Sequence, residues 1–311
     1  MRTRDQGVRR PRGRSSATLR RATCLAALAS SLGLACGREE ADLLIAGADA
    51  GSRGPSDAPP LVDVVDPYDQ DATRTGPDVF PRSDAAPCAA GYAAQFTGAS
   101  SLSVARPVQD DFTLEAWIKT TASRKGTTFY HGNGVIYADA PPGPNPAGAD
   151  DFGTAILNDK FVFGIGNPDT TFRSTSDVTT GEWVHVAASR SKESGEVHVL
   201  VNGVDENATN TTQKGSLTDQ PTLTVGSTLN DQNHFIGLMD EVRVWNVART
   251  EAEIAATMHR RLTGNEPGLV AYWRFDDPGG ATAVDSSPAK ADATIAGTLE
   301  WLPSDAPICL P

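Results

Sequence analysis

The run from Phe235 to Asn246 reads FIGLMDEVRVWN, entered through a glycine and alternating polar with apolar residues in its second half. A strand points successive side chains to opposite faces, so Glu241, Arg243 and Trp245 share one face and Val242 and Val244 the other. The valines suit the space between two packed sheets. The opposite row needs ionic or hydrogen-bonding partners wherever it is covered. The same device recurs at Phe112 to Lys119 (FTLEAWIK) and at Leu269 to Asp276 (LVAYWRFD). In the first of these, Phe112, Leu114, Ala116 and Ile118 make one face, and Glu115 with Trp117 the other. Strands of this kind predict an all-β sandwich.

Other segments agree. WVHVAASR alternates with Val184, Val186 and Ala188 inward, EVHVLV follows it, and Asn202 with Gly203 forms a two-residue turn signal into the next strand. Tyr92 to Leu102 reads as an opening strand and turn, DFGTAIL with KFVFGIGNPDT as a hairpin, and Thr294 to Trp301 as a final strand. Thr250 and Glu253 make a capping box, which predicts a helix from about Glu251 to Arg261 with Ile254, Ala255 and Met258 on its apolar side. Thr121 to Asp151 carries Gly, Pro and Asp clusters and reads as a long loop. No repeat of 20 to 50 residues is present, which excludes solenoid arrays.

The amino terminus is a separate region. Eight arginines and one acid, Asp5, precede an apolar run from Ala22 to Ala35. That run is short for a permanent span, and a basic head with a small-residue exit reads as a signal peptide over residues 1–36. The exit, Leu32-Gly33-Leu34-Ala35-Cys36, looks like a bacterial lipobox, in which Cys36 would be diacylated and anchor the protein to the membrane at the cell envelope. Gly33 stands where that pattern has leucine, so plain cleavage and secretion is the alternative. Residues 37–87 are rich in Asp, Pro, Gly, Ala and Ser. Such a segment buries too little apolar surface to offset chain entropy and reads as a disordered acidic linker. The folded domain is then 88–311. The chain carries a formal charge of −12, and removal of the first 36 residues, net +7, leaves −19. A surface that acidic repels phosphate backbones, so nucleic acid is excluded as a partner.

FTLEAWIK, GEWVHVAASR (Gly181 to Arg190), VHVLVNG (Val197 to Gly203) and the strands at Phe235 and Leu269, in this order, resemble the laminin-G-like domain of the concanavalin A-like lectin and glucanase superfamily. The resemblance covers roughly Cys88 to Pro311. It implies a two-sheet antiparallel jelly-roll sandwich with one short helix, a scaffold shared by lectins, adhesion modules, pentraxins and hydrolases. The termini of jelly rolls often lie close together, so Cys88 and Cys309 are expected to be bridged in an oxidising compartment. Members often hold one calcium ion at the sandwich rim. Candidate oxygens are Asp139, Asp150 and Asp151 in the long loop and Asn167 and Asp169 after the hairpin, with Asp276, Asp277 and Asp285 as further acids. The stretch after Asp285 (Ser286, Ser287, Pro288, Ala289) departs from the family's closing loop.

The superfamily's glucanases carry alternating acids on one strand. Here Glu241-Val242-Arg243-Val244-Trp245 places a cation and an indole where the partner acids should stand, so no catalytic pair and no enzyme activity are expected. Glu115, Glu241, Arg243 and Arg274 instead are expected to pair across strands as a structural ion-pair network, with Glu115 in salt-bridge reach of Arg243 or Arg274. The five histidines lack zinc-ligand spacing, and no GxSxG, Walker or Rossmann pattern stands in a fitting context. The expectation is a non-catalytic surface module that recognises a glycan or a cell-surface protein. Tyr130, Tyr137 and Phe152, around the Tyr130 to Asp151 loop, are its candidate ligand-stacking residues. The alternatives are a structural envelope or matrix component without a discrete ligand, and a glycoside hydrolase whose two carboxyls, about 5 to 10 Å apart, escape recognition.

Overall fold

The computed structural model describes residues 91–138, 150–228 and 233–309. The expected signal peptide, Cys36, the linker, Cys88 and Asp139 lie outside them. In chain order the elements are β1 (Tyr92–Thr97), β2 (Ser101–Ala105), β3 (Phe112–Lys119), a 3-10 turn (Phe129–His131), β4 (Asn133–Ala138), β5 (Phe152–Leu157), β6 (Lys160–Ile165), β7 (Thr170–Asp177) and β8 (Trp183–Arg190). They continue with β9 (Glu196–Val201), β10 (Val204–Asn210), β11 (Thr222–Val225), β12 (Ile236–Trp245), α1 (Glu251–Thr257), β13 (Leu269–Trp273), β14 (Thr282–Ala283), β15 (Ala293–Ala296) and β16 (Glu300–Pro303).

Two antiparallel sheets result. One runs β10-β9-β8-β3-β12-β1-β16 with β13 beside β12, and the other runs β14-β15-β2-β11-β4-β5-β6-β7. Their inner faces hold the core that alternation predicts. Phe112, Leu114, Ala116 and Ile118 of β3, Val184, Val186 and Ala188 of β8, and Val242 with Val244 of β12 all lie in it. Phe112 meets Phe152 of the facing sheet at 4.5 Å and Phe163 edge-on at 6.0 Å, so aromatic contacts tie the layers together. The Asn202–Gly203 turn has φ of 50° and 77°, the left-handed pair that a two-residue hairpin of this twist requires.

Strict alternation breaks once in β12. Between Asp240 and Arg243 the register with β3 shifts, and Glu241 takes φ 50°. This bulge keeps Met239 and Val242 in the core while Asp240 and Glu241 both lie outside it.

The capping box is formed: Glu253 N donates to Thr250 Oγ1 at 3.3 Å and Thr250 N donates to the Glu253 carboxylate at 2.8 Å. Thr250→Ala is expected to cost about 1 kcal/mol, read as a lower denaturant midpoint at unchanged slope. The helix itself is shorter than its pattern predicts and ends at Thr257. Beyond it, Arg260 joins a bridge with Cys309, which takes the backbone out of helical geometry. Only Ile254 is buried, packed on Ala187 and Leu200 across the outer face of the first sheet, whereas Ala255 is exposed.

Two other expectations are corrected. Within the supposed long loop lies β4, whose residues are all buried, so it shows no alternation to read. The single final strand is two strands, β15 and β16, which belong to different sheets because the chain turns at Gly297 (φ 75°).

Candidate functional site

The outer face of β3, β8 and β12 carries the polar row. Arg243, 1% exposed, lies 2.6 Å from Glu241 Oε2 and 3.6 Å from Glu115 Oε1. Its guanidinium also donates to the carbonyls of Thr257 (3.2 Å) and Arg260 (2.6 Å), so it staples the segment after α1 to the sheet. Glu115 accepts from Trp245 Nε1 at 2.8 Å and Arg249 Nη1 at 3.3 Å, and His185 Nε2 lies 3.3 Å away. Glu241 accepts the Tyr272 hydroxyl and has Arg261 Nε at 3.8 Å. The expected pairing of Glu115 with Arg243 is therefore present.

The protonation states follow. Burial alone would raise Glu115, but the His185 hydrogen bond and the charges of Arg243 and Arg249 outweigh it and hold the carboxyl at about 2. Burial pushes His185 below its ordinary value, toward the neutral ring. For Arg243 the attraction of Glu115 and Glu241 exceeds the cost of burial and raises the guanidinium further. Burial and the Glu241 charge likewise raise Tyr272. Both acids are enclosed and already paired.

Arg274 is not part of that network. Its Nε donates to Ser286 Oγ at 2.9 Å and its guanidinium lies over the Tyr272 ring at 5.6 Å. Arg249, Arg261, His185 and Tyr272 are members that sequence reasoning missed, whereas Trp245 stands in the row that needed partners. Arg249 carries the one cue available, a cation set four residues after an indole, and it stacks on Trp245 at 4.1 Å.

At the rim the three candidate aromatics separate. Phe152 is fully buried against Phe112, and Tyr137 is 1% exposed in a cluster with Phe129, Ala155, Leu157 and Val162. Neither presents a ring to a ligand, because both sit on strands whose two faces are covered. Tyr130 is exposed, at 37%. It rides on Phe129, whose ring packs against Gly164 so closely that a Cβ there would lie 1.8 Å from it. Phe129 N donates to Thr171 Oγ1 at 3.0 Å, Asn233 Nδ2 to Tyr130 O at 2.9 Å, and Arg124 Nε to His131 O at 3.2 Å. The Tyr130 ring meets Phe129 edge-on at 5.5 Å and His131 at 4.6 Å. An exposed ring is thus held by a fixed backbone and a buried neighbour.

Of the acids proposed for calcium, Asp139 lies outside the described residues. Asp150 Oδ1 accepts from the Asn167 amide nitrogen at 3.0 Å, Asp151 is 2% exposed, and Asn167 and Asp169 are exposed. Among the described residues no three His, Cys, Asp or Glu converge as a metal site would need. Asp285 is a loop organiser, accepting from Tyr272 N, Ser287 N, Ser287 Oγ and Ala291 N at 2.7 to 2.9 Å. Asp276 accepts from Arg261 and Tyr92 N. Cys309 is disulfide-bonded, and its expected partner Cys88 lies outside the described residues.

Comparison with known proteins adds a family profile, described as the concanavalin A-like lectin/glucanases superfamily, which matches residues 93–255, just over half of the chain. Among solved structures, a protein from Bacteroides ovatus described as a candidate carbohydrate binder is 23% identical with a TM-score of 0.55. The match covers 72% of this chain and 62% of that one. Domain 4 of an extracellular arabinanase from Geobacillus stearothermophilus, solved with arabinotriose, is 20% identical over 54% of this chain and 80% of that one, at TM-score 0.41. Mouse laminin α1 domains LG4-5 are 17% identical over 54% and 46%, at TM-score 0.40. No curated protein matches the sequence.

Proposed function

Because the chain belongs to the concanavalin A-like lectin/glucanases superfamily, we propose that it is a non-catalytic binding module for neutral glycans, with the Tyr130 ring as its contact. The observation that carries this reading is the exposed, pre-positioned aromatic on its buried Phe129 support. Such a ring covers an apolar sugar face with little ordering cost on binding. Hydrolysis would need two carboxyls facing each other across an open cleft. Glu115 and Glu241 are instead buried and spent on Arg243, Arg249, Trp245 and Tyr272. The net charge of −12 favours neutral over anionic glycans. In the same proposal, residues 1–36 direct export, Cys36 carries the lipid, and residues 37–87 tether the sandwich at the cell surface.

A glycan array and polysaccharide pull-down with the mature protein and its Tyr130→Ala variant test this. Binding by the wild type and at least a tenfold weaker affinity in the variant, about 1.4 kcal/mol, are expected. Unaltered binding by Tyr130→Ala would remove the assigned contact, and a wild type that binds no glycan would remove the function.

A further inference from the structure

Beyond β16 the chain crosses the outer face of the first sheet as a strap, Ser304 to Cys309. Ser304 N donates to Gly91 O at 3.0 Å, and its hydroxyl lies 2.6 Å from Asp240 Oδ2. Asp305 accepts from Trp183 Nε1 at 2.5 Å and pairs with Lys119 at 3.1 Å. His259 Nδ1 lies 2.8 Å from Pro307 O. Cys309 N donates to His259 O at 2.7 Å, and Cys309 O accepts from Arg261 N at 2.8 Å. Cys309, at the far end, is disulfide-bonded.

Asp240 is the odd group beneath this strap. It is 2% exposed, its Oδ1 accepts from Glu241 N at 2.8 Å, and no cation among the described residues pairs with it. The acids around it are Glu241, its neighbour across the bulge, and Asp276 from the segment after β13. The cations nearby are committed elsewhere: Arg261 to Asp276 (3.0 Å) and Glu241 (3.8 Å), Arg243 to Glu241 and Glu115, and Lys119 of β3 to Asp305 of the strap. A carboxyl enclosed with two other acids and a hydroxyl is stable in its neutral form.

We propose that Asp240 and Ser304 form a proton-dependent latch that holds the carboxy-terminal strap on the sheet and releases it in alkaline solution. Ser304 Oγ donates to Asp240 Oδ2 and accepts from Ala306 N at 3.2 Å, so with Asp240 protonated the strap rests on an uncharged hydrogen bond. Loss of that proton leaves a buried charge beside Glu241 with no counter-ion, and water reaches it only if the strap lifts. Burial, together with the repulsion of Glu241, pushes Asp240 up to about 8 despite the Ser304 hydrogen bond. The folded value lies above the unfolded one, so the latch is complete at low pH and lost as pH rises through about 8.

The Trp183 indole N–H, bonded to Asp305 on the strap, reports the event by NMR in the intact protein, with Trp183→Phe giving its assignment. Its resonance is expected to move with a midpoint near pH 8 in the wild type and to stay constant from pH 6 to 9.5 in Asp240→Asn, which mimics the neutral acid. A flat wild-type profile, or the same transition in Asp240→Asn, would overturn the latch. A carbon-13 titration of the wild-type Asp240 carboxyl keeps the question decidable if the variant does not fold, since a group already ionised at pH 6 contradicts the proposal.

Discussion

Arg243→Met is expected to destabilise the sandwich by about 3 to 5 kcal/mol, because it leaves Glu115 and Glu241 buried with their main cation gone. Both acids are 1% exposed, and the remaining guanidiniums, Arg249 at 3.3 Å and Arg261 at 3.8 Å, each reach only one of them. The loss extends to the carbonyls of Thr257 and Arg260, which Arg243 satisfies. Urea unfolding at pH 7 measures the effect. Adding Glu115→Gln should recover part of it, since one uncompensated charge is then removed, and a double variant no more stable than Arg243→Met would contradict the pairing. The acid limb has a definite sign. Glu115 is held at about 2, below its ordinary value of 4.5, so its contribution is present above pH 4.5 and lost as pH falls toward 2.

Gly164→Ala is expected to cost roughly 3 kcal/mol and, under the function proposed above, to weaken glycan binding together with stability. The added methyl would meet the Phe129 ring at 1.8 Å, and that ring is fully buried against Tyr137 with its backbone N–H bonded to Thr171. Phe129 has no free direction in which to retreat. Displacing it moves Tyr130, the next residue. Gly215→Ala is the control, because a Cβ there meets nothing within 4 Å. Thermal unfolding of both variants, read beside their glycan affinity, separates a general packing cost from a shift of the Tyr130 platform. If Gly164→Ala matched Gly215→Ala in stability, the account of the platform would fail.

Where one face of a strand is buried and the other is polar, the elements were legible. β3, β8 and β12 send their aliphatic residues inward as their spelling requires, and Asn202–Gly203 closes its hairpin. Legibility failed where both faces are covered: β4 shows no alternation, and Tyr137 and Phe152 look like loop aromatics until Phe129 and Phe112 are placed against them. The pairing of Glu115 with Arg243 could be foreseen from acid and cation on parallel rows, and the register sets them side by side. Arg261 and Tyr272 could not, and Arg249 offered only its spacing from Trp245, because they arrive from connecting segments or a partner strand whose path no periodicity records.

By itself, the sequence determined the sandwich, its inner faces, the helix cap and the absence of a glucanase-type acid row, since each depends on residues within a few positions of one another. Tertiary structure decided which polar residues share a space. The bulge at Glu241 turns Asp240 to the outer face, the strap covers it, and the segment after α1 encloses Arg243. Burial and charge depend on neighbours brought together from distant parts of the chain, and those neighbours hold the Glu115 carboxyl below its ordinary range and push that of Asp240 above it.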